Sequence, residues 1–485
     1  MAFRPSFLTQ ATLYKFRYAI GYGLLVCILL LIISVDINTL PNGISQAEMN
    51  SAAVSNLMSP RLTFDWVINA PYHALQKISI MVFGLSRASI VLPSLLVGFA
   101  TIVLFMLTMR LWFRESIAVV TTIIAVTSSP FVSMMRSGTP EIMLSFWTIL
   151  LLFAAVKFLM QHERAFVWKL LMAIAAVGLL YTPYGIYPLL AFSISGLLHP
   201  HVRSRLRRIK HSRLFILLGV GLVTLTPLII YVVLDPARLA PLVGITAFED
   251  SLSNIPETLS KLYQLYINVV QSGFVGTVLV PMFNIATVCL VLLGIFRVVK
   301  DRHTARSYAL ISWTIAVTIV TLLAPEQQGL VLMPVILLTA IGIETLIVDW
   351  YTLFPKNPYA RVAGLIPLTI LFIAIAAGNL SHYFNTHRYV SNSAYMQSLP
   401  SIKRSIVTEG NRSVVLVVNK EKETFYKILQ RQFANLEVTT IAPAATTQPT
   451  LVLPSVTTAY PNAPWRIFTT STAENPVALR VYRPQ

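Results

Sequence analysis

Residues 167–198 read VWKLLMAIAAVGLLYTPYGIYPLLAFSISGLL, and the way this stretch divides sets the topology of everything after it. Two apolar runs, 167–181 and 185–198, meet at Thr182-Pro183-Tyr184-Gly185. Proline and glycine so close together mark either a tight turn between two short helices or a kink within one long helix. The two readings put every later loop on opposite sides of whatever the chain crosses.

Composition says what it crosses. The chain has 485 residues, 55% apolar and only 12% charged, with a mean hydropathy of +0.70. A water-soluble surface cannot be made from so few charges, so the bilayer is the solvent. A helix needs ~20 mostly apolar residues to cross the hydrocarbon layer. Runs of that kind recur at 18–35, 88–109, 116–134, 141–159, 167–181, 185–198, 214–234, 276–296, 307–323, 329–348 and 362–380. The expected fold is an α-helical polytopic membrane protein with about eleven transmembrane helices.

Basic residues choose between the two readings of 182–185, because cytosolic loops retain Lys and Arg. With a turn there, cytosolic segments collect twenty of them, including the cluster Arg203, Arg205, Arg207, Arg208, Lys210 and Arg213. The outer loops before the C-terminal region hold six: Arg61, Lys77, Arg87, Arg136, Arg238 and Lys261. A single long helix destroys this asymmetry, so the turn is preferred, with the N-terminus inside. The net charge of +18 then faces anionic lipid head groups rather than nucleic acid. The first span has no small-residue cleavage site after it and reads as an uncleaved anchor in the cytoplasmic membrane. Cys27 and Cys289 both fall in apolar spans, so no disulfide framework is expected, and no Cys/His cluster has zinc spacing.

Acidic residues favour the outer side: Asp36, Glu48, Asp65, Glu141, Asp235, Glu249, Asp250, Glu257 and Glu326. Acids contribute little to orientation, so this bias points to chemistry or ion binding there. The outer loop 36–87 is far longer than a connection needs. Ser45-Gln46-Ala47-Glu48 opens a helix with a capping box, Ser45 as N-cap and Glu48 at N3. Asn69-Ala70-Pro71-Tyr72 opens a second helix. There Tyr72, Leu75, Ile78 and Val82 form an apolar face opposite His73, Gln76 and Lys77, as in a helix lying in the membrane interface.

These residues resemble the GT-C class of polyprenyl-phosphate-dependent glycosyltransferases, specifically the protein mannosyltransferase and aminoarabinose transferase family. Leu40-Pro41-Asn42-Gly43 with Glu48 resembles the family's first outer loop. Asn69-Ala70-Pro71-Tyr72, Val82-Phe83-Gly84-Leu85-Ser86 and Leu92-Pro93-Ser94 are similar in order and spacing to its Pro-Pro-Leu-Tyr, Phe-Gly and Arg-Leu-Pro-Ser segments. Arg136-Ser137-Gly138-Thr139-Pro140-Glu141 resembles the Arg and acid at the start of its fourth span, and Leu332-Met333-Pro334 a late Leu-Leu-Pro. Three positions depart: Ala47 stands where the family has the Asp of an Asp-Glu pair, Val91 where an Arg precedes Leu-Pro-Ser, and Gln327-Gln328 where an Arg precedes the late motif.

The resemblance implies transfer of a sugar from a polyprenyl-phosphate-linked donor to an unknown protein, lipid or glycan acceptor on the outer side of the membrane. Such a reaction needs a carboxylate to take the acceptor's proton and cations to hold the leaving phosphate. Glu48 is the candidate base, with Asp65 second. Arg136 and Lys77 are the candidates for the phosphate. Tyr72, His73 and Glu141 are candidates for lining the substrate, Glu141 also for positioning Arg136 or a divalent metal. Each has a plainer alternative: Glu48 as a helix cap, Asp65 as a helix-start charge, Arg136 and Glu141 as a mutual pair, Lys77 and His73 as interface anchors. Glu344, within the tenth span, reads as a group reaching for the cytosolic interface. A non-catalytic GT-C protein that binds lipid-linked sugars, and a lipid or solute transporter, are the alternative functions.

After residue 380 the composition becomes that of a globular protein. Residues 413–418 and 436–440 read as strands around a helix at 420–433, and 450–453, 466–470 and 478–482 as further short strands. The division expected is a transmembrane domain over 1–380 and a small extracytoplasmic α/β domain over 381–485. With neither a Gly-rich phosphate loop nor an acid cluster, that domain reads as an acceptor-binding or packing module.

Overall fold

A computed structural model gives the structure of the chain and describes residues 7–35, 43–57, 65–160, 165–207, 211–263, 283–325, 327–389, 399–410, 412–441, 448–453, 464, 466–469 and 478–482. Helix α1 (Phe7–Ser34) is followed by two helices of the first long loop, α2 (Gln46–Asn56) and α3 (Ala70–Phe83). Then come α4 (Arg87–Trp112), α5 (Glu115–Thr127), α6 (Ser129–Arg136), α7 (Ile142–Met160), α8 (Ala165–Leu180), α9 (Ile186–Leu198) and α10 (Pro200–Arg207). After α11 (His211–Leu234) the chain makes three short helices, α12 (Leu239–Val243), α13 (Ile245–Ser253) and α14 (Ile255–Leu262). The bundle closes with α15 (Ile285–Lys300), α16 (Ala305–Leu323), α17 (Gln328–Leu353) and α18 (Pro358–Tyr389).

Among the described residues six helices are long and apolar enough to cross a membrane, α5 and α6 together make a seventh, and Ala19–Ile32, Phe166–Leu180 and Ile186–Leu198 are shorter apolar helices. The expected unbroken span 116–134 is therefore two helices, which meet at 60°. Ser128 sits between them in an extended conformation, and Pro130 in the first turn of α6 has no N–H to continue the ladder of α5. The expected span 276–296 begins as a helix only at Ile285, where the Asn284 side chain caps the Thr287 amide; residues 276–282 lie outside the described residues. The span expected at 141–159 starts at Ile142, so Glu141 belongs to the turn before it.

The segment 182–185 is a turn. The Tyr181 carbonyl at its start accepts from the amide of Asn69, which precedes α3. Tyr184 takes a left-handed conformation, φ 61°, and its amide donates to Leu242. Helix α9 then returns, so that Leu197 near its end lines the same trough as Met160 and Arg306. Each of those residues lies at the helix end opposite the Asn69 contact.

The C-terminal part adds α19 (Leu399–Thr408), which the sequence reading did not anticipate, strand β1 (Val414–Val417), α20 (Glu423–Gln430), and strands β2 (Leu436–Thr439), β3 (Thr450–Val452), β4 (Arg466–Thr469) and β5 (Ala478–Tyr482). The sheet order is β2-β1-β3-β5-β4. Strand β1 pairs in parallel with β2 and β3, and β5 runs antiparallel to β3 and β4. All four residues of β1 are buried, as a central strand covered on both faces requires. Helix α18 continues through the expected boundary at 380 as far as Tyr389.

Two large cores result. One fills the helix bundle, from Leu25, Leu29 and Ile32 of α1 to Ile375 and Tyr383 of α18. The other joins the two halves of the chain: Ile44, Met49, Ala52, Ile80, Leu85 and Ile90 pack in one cluster with Leu399, Ile402, Ile406, Leu416, Phe425 and Leu429.

Candidate functional site

Helix α3 brings the first loop onto the bundle in an unexpected orientation. Leu75, Ile78, Met81, Val82 and Phe83 are exposed, while Tyr72, His73, Gln76 and Ser79 are buried. Tyr72 thus lies on the polar side rather than with Leu75, Ile78 and Val82. At a membrane surface the apolar stripe faces lipid and the polar stripe, recurring at helical spacing, faces protein. Lys77, half-buried, stands at the edge between the two.

The polar stripe is fully engaged. The Gln76 side chain donates to the carbonyls of Gly138, at 2.9 Å, and Ile90, at 3.1 Å. Its Oε1 lies 2.9 Å from the Ser51 hydroxyl and 2.6 Å from the Ser55 hydroxyl. His73 Nδ1 is 2.8 Å from Ser55 Oγ, and burial pulls the His73 ring down to about 4, so it stays neutral near neutral pH. The Tyr72 hydroxyl bonds Ser94 Oγ at 2.7 Å, and Ser94 donates to the Thr139 carbonyl at 3.2 Å. Burial also pushes the Tyr72 phenol far up. Tyr72, 0% exposed, and His73 therefore act inside the frame and are not on an open wall.

Everything in this frame converges on the turn between α6 and α7. Glu48, only 2% exposed, closes the capping box of α2 by accepting from the Ser45 amide at 2.8 Å. Its other oxygen accepts from the Gly138 amide at 2.9 Å. Gly138 is thus gripped at its amide by Glu48 and at its carbonyl by Gln76. A Cβ added at Gly138 would lie 2.4 Å from Ile90 Cγ2, so the close approach requires glycine. On the other side Arg136 Nη1 donates to the carbonyls of Ile32, at 2.6 Å, and Val35, at 2.7 Å. It thereby caps the end of α1, where a cation meets the negative pole of the helix. The Arg136 guanidinium also lies 5.8 Å from the Tyr383 ring and 5.4 Å from that of Phe384.

The turn presents Glu141. This residue has open surface, yet desolvation by the protein around it raises its carboxyl above the ordinary range; a hydrogen bond from Thr139 lowers it and the nearby Glu48 charge adds to the rise. Among the described residues Arg136 and Glu141 form no ion pair; each is held by other partners.

Arg87, buried at the start of α4, donates to the Gly43 carbonyl, and both Arg87 and Arg136 act electrostatically on Tyr383. Arg87 lies one helical turn before Val91, on the same face of α4. Three segments of sequence therefore bring Glu48, Arg87, and Arg136 with Glu141 to one end of the bundle. Asp65 begins a 3-10 turn, Asp65–Val67, and its side chain lies outside the described residues. Among the described residues there is no group of three His, Cys, Asp or Glu side chains placed to hold a metal ion. Glu344 sits at the far end of the bundle, 3.5 Å from Arg306. Gln76 and Arg87 were missed as site residues; the signal for Gln76 was its place three and four residues after His73 and Tyr72, on the same face of the helix.

Residues 70–231 match the family model for dolichyl-phosphate-mannose-protein mannosyltransferase. No curated protein sequence matches the chain. Among solved structures, ArnT from Cupriavidus metallidurans bound to undecaprenyl phosphate aligns with 96% of this chain and 99% of its own, at 14% identity and a TM-score of 0.56. The apo state of the same protein gives 16% identity and a TM-score of 0.53, covering 96% of this chain and 100% of the other. The Archaeoglobus fulgidus oligosaccharyltransferase tethered to an acceptor peptide gives 12% identity and a TM-score of 0.51, over 88% of this chain and 64% of the other.

Proposed function

We propose that this chain, which has the GT-C fold of the protein mannosyltransferase and ArnT kind, transfers a sugar from a polyprenyl-phosphate-linked donor to an acceptor at the outer face of the membrane. The observation that carries the reading is Glu141: a reachable carboxylate, raised by desolvation, on a turn gripped by Glu48, Gln76 and Ser94. A carboxylate that is desolvated by its surroundings yet reachable from outside is a candidate for proton transfer. In the proposed reaction an acceptor O–H or N–H attacks the anomeric carbon, the bond from that carbon to the phosphate oxygen breaks, and Glu141 takes the acceptor's proton. Its raised carboxyl suits that task better than an ordinary carboxylate would.

Glu48 becomes the residue that fixes the turn rather than the base, since both its oxygens already accept from backbone amides. The leaving polyprenyl phosphate meets the positive potential of Arg136 and Arg87, with Lys77 at the lipid edge. Arg136 has given Nη1 to the carbonyls of α1, so it acts there mainly through its charge. The basic residues Arg110, Arg114, Lys157, Arg203 and Arg302, all at helix ends away from Glu141, support placing this site on the outer side.

The test is turnover of a panel of polyprenyl-phosphate sugars by the full chain in nanodiscs, with several acceptors. Glu141→Gln should reduce transfer about 10²- to 10⁴-fold while donor binding persists; full transfer by that variant would remove Glu141 from the chemistry. The commitment of both Glu48 oxygens, beside Ala47 in place of an acid, favours a second reading: a GT-C protein that binds lipid-linked sugars without turnover. Donor binding with no transfer by the unaltered chain would establish that one.

A further inference from the structure

At the end of the bundle away from Glu141, helices α7, α8, α9 and α16 leave a trough of about 690 Å³ between them. Leu152, Val156, Ala176, Phe192, Leu197 and Ala309 are among its walls. Its size is that of a site for one small ligand. On α7 it runs from Leu151 to Met160, roughly 14 Å at ~1.5 Å per residue. That is about half of the ~30 Å hydrocarbon layer, so the trough is as long as one leaflet is deep.

The trough is mostly apolar; Ser193 and Ser195 are in its lining, their hydroxyls turned to the carbonyls of Leu189 and Phe192, and its one charged residue is Arg306. Arg306 Nη1 is 3.5 Å from Glu344 Oε2, and the guanidinium lies 5.1 Å from the Phe113 ring centre. Its Nε and Nη2 donors have no hydrogen-bond partner among the described residues. Val202 of α10 also lines the trough, and the same helix carries Arg203, Arg205 and Arg207. A leaflet-long apolar channel ending at an arginine with open donors and a basic collar has the shape and charge of a phospholipid with an anionic head group. We propose that the trough is a binding site for one anionic phospholipid, its acyl chain between α7 and α9 and its phosphate on Arg306. A polyprenyl phosphate shares the head-group chemistry, but its chain outruns a channel one leaflet deep. The site is independent of the reaction proposed above.

The full chain, stripped of lipid in detergent, is incubated with vesicles of equal parts phosphatidylglycerol and phosphatidylcholine and examined by native mass spectrometry. One phospholipid should be retained, with phosphatidylglycerol favoured about fivefold, the effect expected of one basic residue near an anionic head group. Arg306→Gln should abolish the preference. Glu344→Gln, which leaves Arg306 without its counter-charge, should raise it, and serves alone if the first variant does not fold. Equal retention of both lipids by the unaltered chain would overturn the proposal. So would an unchanged preference in either variant, or displacement of the retained phospholipid by added polyprenyl phosphate.

Discussion

Replacing Gln76 by Leu, nearly the same volume without the amide, removes the hub of the polar frame. Gln76→Leu leaves the carbonyls of Gly138 and Ile90 facing a methyl group. The Ile90 carbonyl keeps its rung in the α4 ladder and the Ser55 hydroxyl can turn to the Ser51 carbonyl 2.9 Å away, so the Gly138 carbonyl and the Ser51 hydroxyl, which loses its Gln76 acceptor, dominate the cost. An orphaned buried polar group costs ~1–3 kcal/mol; two of them, with partial relaxation, give about 3 kcal/mol. That cost falls on the turn 136–141, whose Gly138 carbonyl Gln76 holds, rather than on the distant helices α15 and α17. Local opening of the turn should therefore become about a hundredfold more frequent, at ~1.4 kcal/mol per factor of ten. Hydrogen–deuterium exchange of the full chain in nanodiscs reads this directly, since the Gly138 amide is held by Glu48. Peptides spanning the turn should exchange about a hundredfold faster in the variant, with those from α15 and α17 unchanged. Exchange of the turn within about twofold of the unaltered chain would refute the view that Gln76 holds it.

Gly138→Ala puts a Cβ 2.4 Å from Ile90 Cγ2 and 3.3 Å from Glu48 Cγ. It should cost ~1–3 kcal/mol, and Ile90→Ala should recover part of that loss in a double-mutant cycle of thermal unfolding; strict additivity would show that the close approach is not what glycine serves. His73 gives a pH dependence with a definite sign. Its folded value of about 4 lies below its ordinary 6.5, so the neutral ring's contribution is complete above 6.5 and is lost as pH falls toward 4. The first loop should lose roughly 2 kcal/mol of stability by pH 5. His73→Gln should flatten that part of the profile, as followed by proteolysis of the loop.

The membrane class, the turn at 182–185 and the capping box of α2 were legible because each rests on local chemistry: apolar length, proline beside glycine, and a serine three residues before a glutamate. The bend at Ser128 was legible only in part. Pro130 was visible, but the run 116–134 is apolar throughout, and hydropathy does not register direction. Helix α3 was read with Tyr72 on the wrong side because the sequence does not say which phase lies outside; with lipid there, the polar stripe turns inward. The frame around Gly138 was not legible at all. Gln76 and Gly138 are separated by 62 positions and Glu48 and Gly138 by 90. The fold alone brings such partners together.

The same distinction bears on the C-terminal domain, read from sequence as an acceptor-binding or packing module. One face of its sheet closes on itself through Val415, Val417, Val452 and Tyr482, but its larger core does not. Phe425 and Leu429 of α20 and Ile402 and Ile406 of α19 share one cluster with Met49 and Ala52 of α2 and with Ile80, Leu85 and Ile90, and Arg431 donates to the Asn56 side chain at 3.2 Å. Burying a large aliphatic or aromatic side chain is worth ~1.5–3 kcal/mol. Separating the domain from the first loop would expose several on each side, a cost comparable with the whole stability of a small domain. An acceptor module on a tether needs freedom to move, and this interface removes it. Helix α2 is held between α20 on one side and the Gln76 frame on the other. Its one carboxylate, Glu48, is therefore fixed against the turn that carries Glu141. The interface thereby braces the contact of Glu48 with the Gly138 amide from the side of the C-terminal domain.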